Sequence, residues 1–103
     1  MDTNEFLEKH KKLIYFRDGE LGTRELAPEM KCADGFTMSV QVSHTHYCTP
    51  KEDDAGAYST VEVSCAHESL LEPYDVGDVY GHVPVEVVDE IIAKHGGIVE
   101  AVR

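Results

Sequence analysis

Phe36-Thr37-Met38-Ser39-Val40-Gln41-Val42 decides the fold. Its even positions are apolar and its odd positions polar, the period-2 signature of a strand with one face in a core. The strand is expected to run on to about His46. Asp34-Gly35 just before it marks a turn, which joins it to a short Met30–Cys32 strand in a tight hairpin. Downstream, Tyr58 to about Cys65 alternates again, with Val61, Val63 and Cys65 on one side and Thr60, Glu62 and Ser64 on the other. The two strands pair antiparallel across the acidic loop 49–57. If core face meets core face, Val42 stands opposite Val63 and Val40 opposite Cys65.

Outward from this hairpin the pattern becomes helical at both ends. Pro84 suits a first helical turn, Glu86, Asp89 and Glu90 fall early, and Lys94 and His95 fall late, as the helix dipole favours. Val87, Val88, Ile91 and Ile92 form an apolar stripe, and Gly96-Gly97 is a left-handed stop. A helix from Pro84 to His95 therefore packs on the sheet. At the other end Asp2 and Glu5 have capping-box spacing, with Phe6, Leu7, His10, Leu13 and Ile14 on one stripe. Leu13 to Phe16 reads equally as a strand, and Asp18-Gly19 is a turn in either case. Residues 18–30 read as a loop or irregular arm, and 66–77 as irregular, with Pro73 and Gly77 as breakers. Asp78 to Val83 reads as a short third strand. The expectation is one α+β domain over residues 1–103: a mainly antiparallel sheet of three to four strands, a C-terminal helix on one face and a short N-terminal helix.

The charge is unevenly spread. Residues 1–51 hold eight acids and seven bases, whereas 52–103 hold twelve acids and only Lys94 and Arg103 as bases. A field of this sign repels nucleic acid and anionic membrane and steers basic surfaces inward. Solubility alone is the plainer reading of the same charge. Direct nucleic-acid binding is not expected: Lys9, Lys11 and Lys12 beside Tyr15 and Phe16 are the only basic-aromatic cluster. No apolar run approaches the roughly 20 residues of a membrane span. Met1 to Lys12 lack the apolar stretch of a secretory leader. Three cysteines, an odd number, are then read as reduced thiols in a cytoplasm.

Two stretches, Cys32-Ala-Asp-Gly-Phe-Thr-Met-Ser-Val-Gln-Val-Ser-His-Thr-His-Tyr-Cys-Thr-Pro50 and Val79-Tyr-Gly-His-Val-Pro-Val-Glu-Val-Val-Asp-Glu-Ile-Ile-Ala-Lys-His-Gly-Gly97, cover 38 of 103 residues. They resemble small acidic proteins encoded in bacteriophage and prophage genomes. The resemblance implies a genomic setting in which counter-defence inhibitors, anti-CRISPR proteins among them, are frequent, and some of those imitate DNA. That class shares no common motif, so no functional residues carry over.

The most suggestive chemistry lies in His44-Thr45-His46-Tyr47-Cys48 and Cys65-Ala66-His67, whose His and Cys are zinc-type ligands. In an extended strand His44, His46 and Cys48 continue the core-facing row, as Cys65 and His67 do on the partner. The register above then puts Cys65 four residues along from His44, about 13 Å. One tetrahedral zinc cannot span that distance. A site from His44, His46 and Cys48 alone needs a bend, and no Cys-x-x-Cys pair is present. Packing at the end of the sheet is the plainer role. Nucleophilic catalysis by Cys48 or Cys65 lacks a surrounding motif, and phosphate-binding glycine loops are missing. No cofactor is expected.

The resulting functional expectation is a non-enzymatic inhibitor that binds a basic, nucleic-acid-binding bacterial protein, a CRISPR effector subunit being one such partner. Its contact residues are Glu52, Asp53 and Asp54 at the hairpin tip, Glu62 on the solvent face, and Glu68, Glu72, Asp75 and Asp78 in the loops that follow. One sheet face repeats only every ~6.6 Å, while DNA carries one charge per about 3.4 Å of each strand. Several loops must therefore contribute to any imitation of DNA. Two alternatives stand beside this: a sponge for a signalling nucleotide held by Arg17, Arg24 and Lys31, and a zinc-binding module built on the His/Cys cluster.

Overall fold

The computed structural model describes residues 1–22 and 26–102. Helix α1 (Thr3–Lys9) begins at the foreseen capping box: Glu5 N–H donates to Asp2 Oδ1 at 2.8 Å, and Asp2 N–H to Glu5 Oε1 at 2.9 Å. The apolar stripe continues into a separate short helix, α2 (Lys11–Tyr15), because His10 leaves helical geometry. Strands β1 (Phe16–Arg17) and β2 (Glu20–Leu21) form a small hairpin of their own. Its turn, Asp18-Gly19, has φ of 51° and 83°, the paired left-handed residues of a tight two-residue loop.

The main sheet has five strands, one more than the upper expectation. They are β3 (Glu29–Cys32), β4 (Thr37–Gln41), β5 (Thr60–Ser64), β6 (Tyr80–Pro84) and β7 (Ile98–Val102), in the spatial order β6-β5-β4-β3-β7 and antiparallel throughout. A 3-10 helix (Ser69–Tyr74) lies between β5 and β6, and α3 (Val85–Lys94) between β6 and β7. Met38, Val40, Val42, Val61, Val63 and Val83 are fully buried and meet Phe6 and Leu7 of α1 and Val88, Ile91 and Ile92 of α3. Thr3 ties the two helices together through its hydroxyl, 2.6 Å from Asp89 Oδ1.

β7 is the unforeseen strand. Gly96 and Gly97, both at φ 91°, turn the chain back from α3, and Ile98–Val102 then pairs with β3. Gly96 has two reasons to be glycine: the left-handed backbone, and a neighbour, Ala33 Cβ, only 2.9 Å from where its own Cβ would stand. Gly96→Ala is expected to destabilise the domain by about 2 kcal/mol in urea denaturation, combining the left-handed penalty with a clash. A loss below about 0.5 kcal/mol would show that the β3–β4 turn yields freely.

Two expectations about β4 need correction. The strand stops at Gln41 rather than His46, and its register with β5 is shifted by two residues, Val40 opposite Val63 and Gln41 opposite Glu62. Parity survives the shift, so core still meets core. Cys65 does not: it falls beyond β5, at φ 56°, and is exposed. Nor is the second face of β4 open to solvent, since Ser39, Gln41 and Ser43 are buried there. Gln41 accepts from Ala27 N–H at 2.8 Å and donates to Ala27 O at 3.1 Å and Ser39 Oγ at 2.8 Å. Ala27, just before β3, is therefore held on this face by the Gln41 side chain.

Candidate functional site

Between Gln41 and Thr49 the chain leaves β4 in a run of bends and turns, with Val42 and Cys48 still in the core. It rejoins at Thr49, which bridges Thr60. Ser43 starts the excursion as a turn residue: its Oγ accepts from Thr45 N–H at 3.1 Å and shares a 2.6 Å hydrogen bond with His46 Nδ1. Burial holds the His46 imidazole below its usual pKa, which favours the neutral ring. Tyr47 ends up on β6. Its N–H donates to Glu62 Oε1 at 3.2 Å, and its carbonyl accepts from His82 N–H at 3.1 Å. A Cβ on Gly81 would stand 3.4 Å from Tyr47 Cβ and from Val76 Cγ2, an ordinary contact distance, so both side chains lie beside Gly81. Gly81 and His82 form a bulge opposite Glu62, with His82 at φ 50°.

This excursion disperses the three residues read as possible metal ligands. His44 is exposed and its ring N–H faces Asp53 Oδ1 at 2.9 Å. His46 is bound to Ser43. Cys48 is buried, its thiol directed at Ser43 O and Pro50 O, and burial pushes its pKa up. Among the described residues no three His, Cys, Asp or Glu side chains gather as a metal site. The bend needed to bring these residues together exists, but it turns each to a different neighbour.

The eight carboxylates separate into two clusters of three and two single residues. Glu52 is exposed and Asp54 half-buried at the hairpin tip, while Asp53 is tied down by two bonds from His44, main chain and ring, both at 2.9 Å. Glu8 first and Asp54 second hold the Lys11 ammonium above its usual pKa, which places the tip beside α2. Glu72, Asp75 and Asp78, all exposed, lie at the other end of β5. Asp75 and Asp78 line a cleft of about 390 Å³ with Ser64, Cys65, His67 and Tyr80. Four strand steps, about 13 Å, separate the two ends, and half-buried Glu62 stands between them with Tyr47 N–H on its Oε1. One continuous acidic surface is thus replaced by two clusters with a carboxylate midway.

Glu68 belongs to neither cluster. Its side chain is only 4% exposed. It caps the 3-10 helix by accepting from Leu70 N–H at 3.1 Å, and it receives Lys94 Nζ at 2.9 Å and His95 Nε2 at 3.0 Å. Lys94 foremost, then the Leu70 amide, hold its pKa down to about 2. Sequence reading placed it among the docking residues because no local pattern announces a partner 26 residues away.

Chemically the cleft offers an exposed thiol, an imidazole and carboxylates. A nucleophilic pair needs the imidazole hydrogen-bonded to the thiol, yet among the described residues neither the Cys65 nor the His67 side chain has a hydrogen-bond partner. Of the three cations read as a nucleotide site, Arg24 lies outside the described residues. Arg17 sits in the β1–β2 hairpin and Lys31 in the main sheet, 3.9 Å from Glu100, so these two are on separate sheets. No helix among the described residues is long and apolar enough to cross a membrane. No family model, curated protein or solved structure matches the chain.

Proposed function

We propose that the chain is a non-enzymatic, phage-type inhibitor that binds a basic, nucleic-acid-binding partner, a CRISPR effector subunit being the class its sequence resemblance suggests. The observation that carries this reading is the placement of charge. Glu72, Asp75 and Asp78 project from one end of the sheet, half-buried Glu62 follows them along β5, and Lys94, the cation of this half in the described chain, is taken up by Glu68. Tyr47 and Val76, 48% and 61% exposed beside these acids, add apolar contact area. Charged rims of this kind steer encounter, and small apolar centres supply residence time.

The test is competition between the chain and DNA for purified CRISPR effector complexes across a salt titration. Displacement of DNA at low salt, weakening as salt rises, is the expected result. Reversing Glu72 and Asp78 to Lys is expected to weaken binding at least tenfold with unchanged circular dichroism; Asp75 is kept, because its Oδ1 accepts from Gly77 N–H at 2.8 Å. The hairpin tip is the poorer place for that test, because reversing Asp53 also breaks its bonds to His44. Absence of binding at low salt across type I, II, III and V complexes would withdraw the proposal.

A further inference from the structure

His95 ends α3 at a corner where three segments meet. Its ring stacks on Phe36, centroids 4.0 Å apart and planes within 10°. Nδ1 lies 2.6 Å from Asp34 Oδ2, in the β3–β4 turn, and Nε2 lies 3.0 Å from Glu68 Oε1, at the cap of the 3-10 helix. A neutral imidazole has one N–H, and an ionised carboxylate only accepts. Both bonds therefore form together only with the imidazolium. The carboxylates are themselves anchored, Asp34 by Phe36 N–H at 3.0 Å and Glu68 by Leu70 N–H and Lys94 Nζ. Asp34 from the turn, Glu68 from the 3-10 helix and Lys94 from α3 itself are the charged groups around this ring among the described residues.

We infer that His95 is a protonation-dependent latch, clamping the β3–β4 turn and the 3-10 helix to the end of α3 while doubly protonated and loosening them when it loses a ring proton. The inference is independent of what the acidic surface binds. Its pH window follows from the shifts of the three groups. Asp34 foremost raises the His95 pKa, so the histidine's contribution is complete below the ordinary value near 6.5 and is lost as pH rises through the folded value. Asp34, stabilised first by the Phe36 amide, and Glu68 are lowered. Their contributions are complete above the ordinary carboxylate range and are lost on acidification, for Glu68 at about pH 2. The latch is tightest between about pH 4.5 and 6.5.

The experiment is a nitrogen-15 NMR titration of the His95 ring, combined with amide exchange at Leu71, Asp75 and Asp34, in the wild type and in His95→Gln. Leu71 N–H bonds Glu68 O, Asp75 N–H bonds Glu72 O, and Asp34 N–H bonds His95 O, so each reports on the clamped segments. The wild type is expected to show two protonated ring nitrogens at about pH 6 and a titration above the ordinary histidine value. Exchange corrected for base catalysis should rise about tenfold across that titration. His95→Gln should lack the step. A ring titrating at or below the ordinary value, a flat corrected exchange profile in the wild type, or a step that persists in His95→Gln would each overturn the latch. Should His95→Gln not fold, the wild-type titration decides alone.

Discussion

Glu68→Ala is expected to lower the stability of the domain by about 3 kcal/mol and its Tm by roughly 15 °C. The substitution removes an N-cap, worth about 1 kcal/mol. It also removes two charge-assisted bonds, each about 1.5–3 kcal/mol in a buried setting. The Lys94 bond is discounted, because that side chain is half-exposed and water can replace its partner. The His95 bond is kept nearly whole, since the ring is 17% exposed. Glu68→Gln retains an acceptor for the Leu70 amide and should cost about half as much. Urea denaturation near pH 6, where the neighbouring charges are all in place, measures both. A loss below about 0.5 kcal/mol for Glu68→Ala would return this residue to the surface and to the docking set. Glu68→Gln, if folded, should leave affinity for a basic partner unchanged.

The second large effect is expected at a residue whose sequence position looks innocuous. Gln41→Ala should cost about 3 kcal/mol, whereas a strand residue truly facing solvent would change stability by less than about 0.5 kcal/mol. The side chain acts as a surrogate peptide group, accepting from Ala27 N–H and donating to Ala27 O. Alanine leaves both main-chain groups of a residue only 5% exposed without partners, at about 1–3 kcal/mol each before water enters the gap. Gln41→Glu should be no better, because a carboxylate cannot donate to Ala27 O and its charge would be buried. Thermal and urea unfolding of the two variants check this. Near-wild-type stability for Gln41→Ala would mean that the segment at Ala27 is not seated on the sheet.

Much of the fold was legible because its signals are local. Asp2 and Glu5 cap a helix through their own neighbours, and Met38, Val40 and Val42 alternate whatever they pack against. Val88, Ile91 and Ile92 reach the core as their spacing predicts. β7 was missed although Ile98-Val99 is apolar, because a glycine pair ends a helix equally well before a tail or before a strand. The candidate site was less legible. Glu72, Asp75 and Asp78 are exposed as expected of acids in a breaker-rich segment, but Glu68, in the same run, is not. Extending the β4 alternation past Gln41 put His44, His46 and Cys48 in one row. Nothing in that local pattern announces the hydrogen bonds of Ser43 that turn the chain out of the strand.

The sequence by itself determined an acidic α+β chain with its charge in the second half, a central antiparallel hairpin and a C-terminal helix over it. These follow from side-chain periodicity and from caps and turns that close within about four residues. Only the tertiary structure decided the two-residue register shift, the burial of Gln41, the fold-back of Tyr47 onto Gly81 and the enclosure of Glu68 by Lys94 and His95. Each depends on a contact between segments 14 to 34 residues apart. Such contacts are set by which surfaces meet once the core has closed, and a buried polar group then needs whatever partner that closure brings within hydrogen-bonding reach.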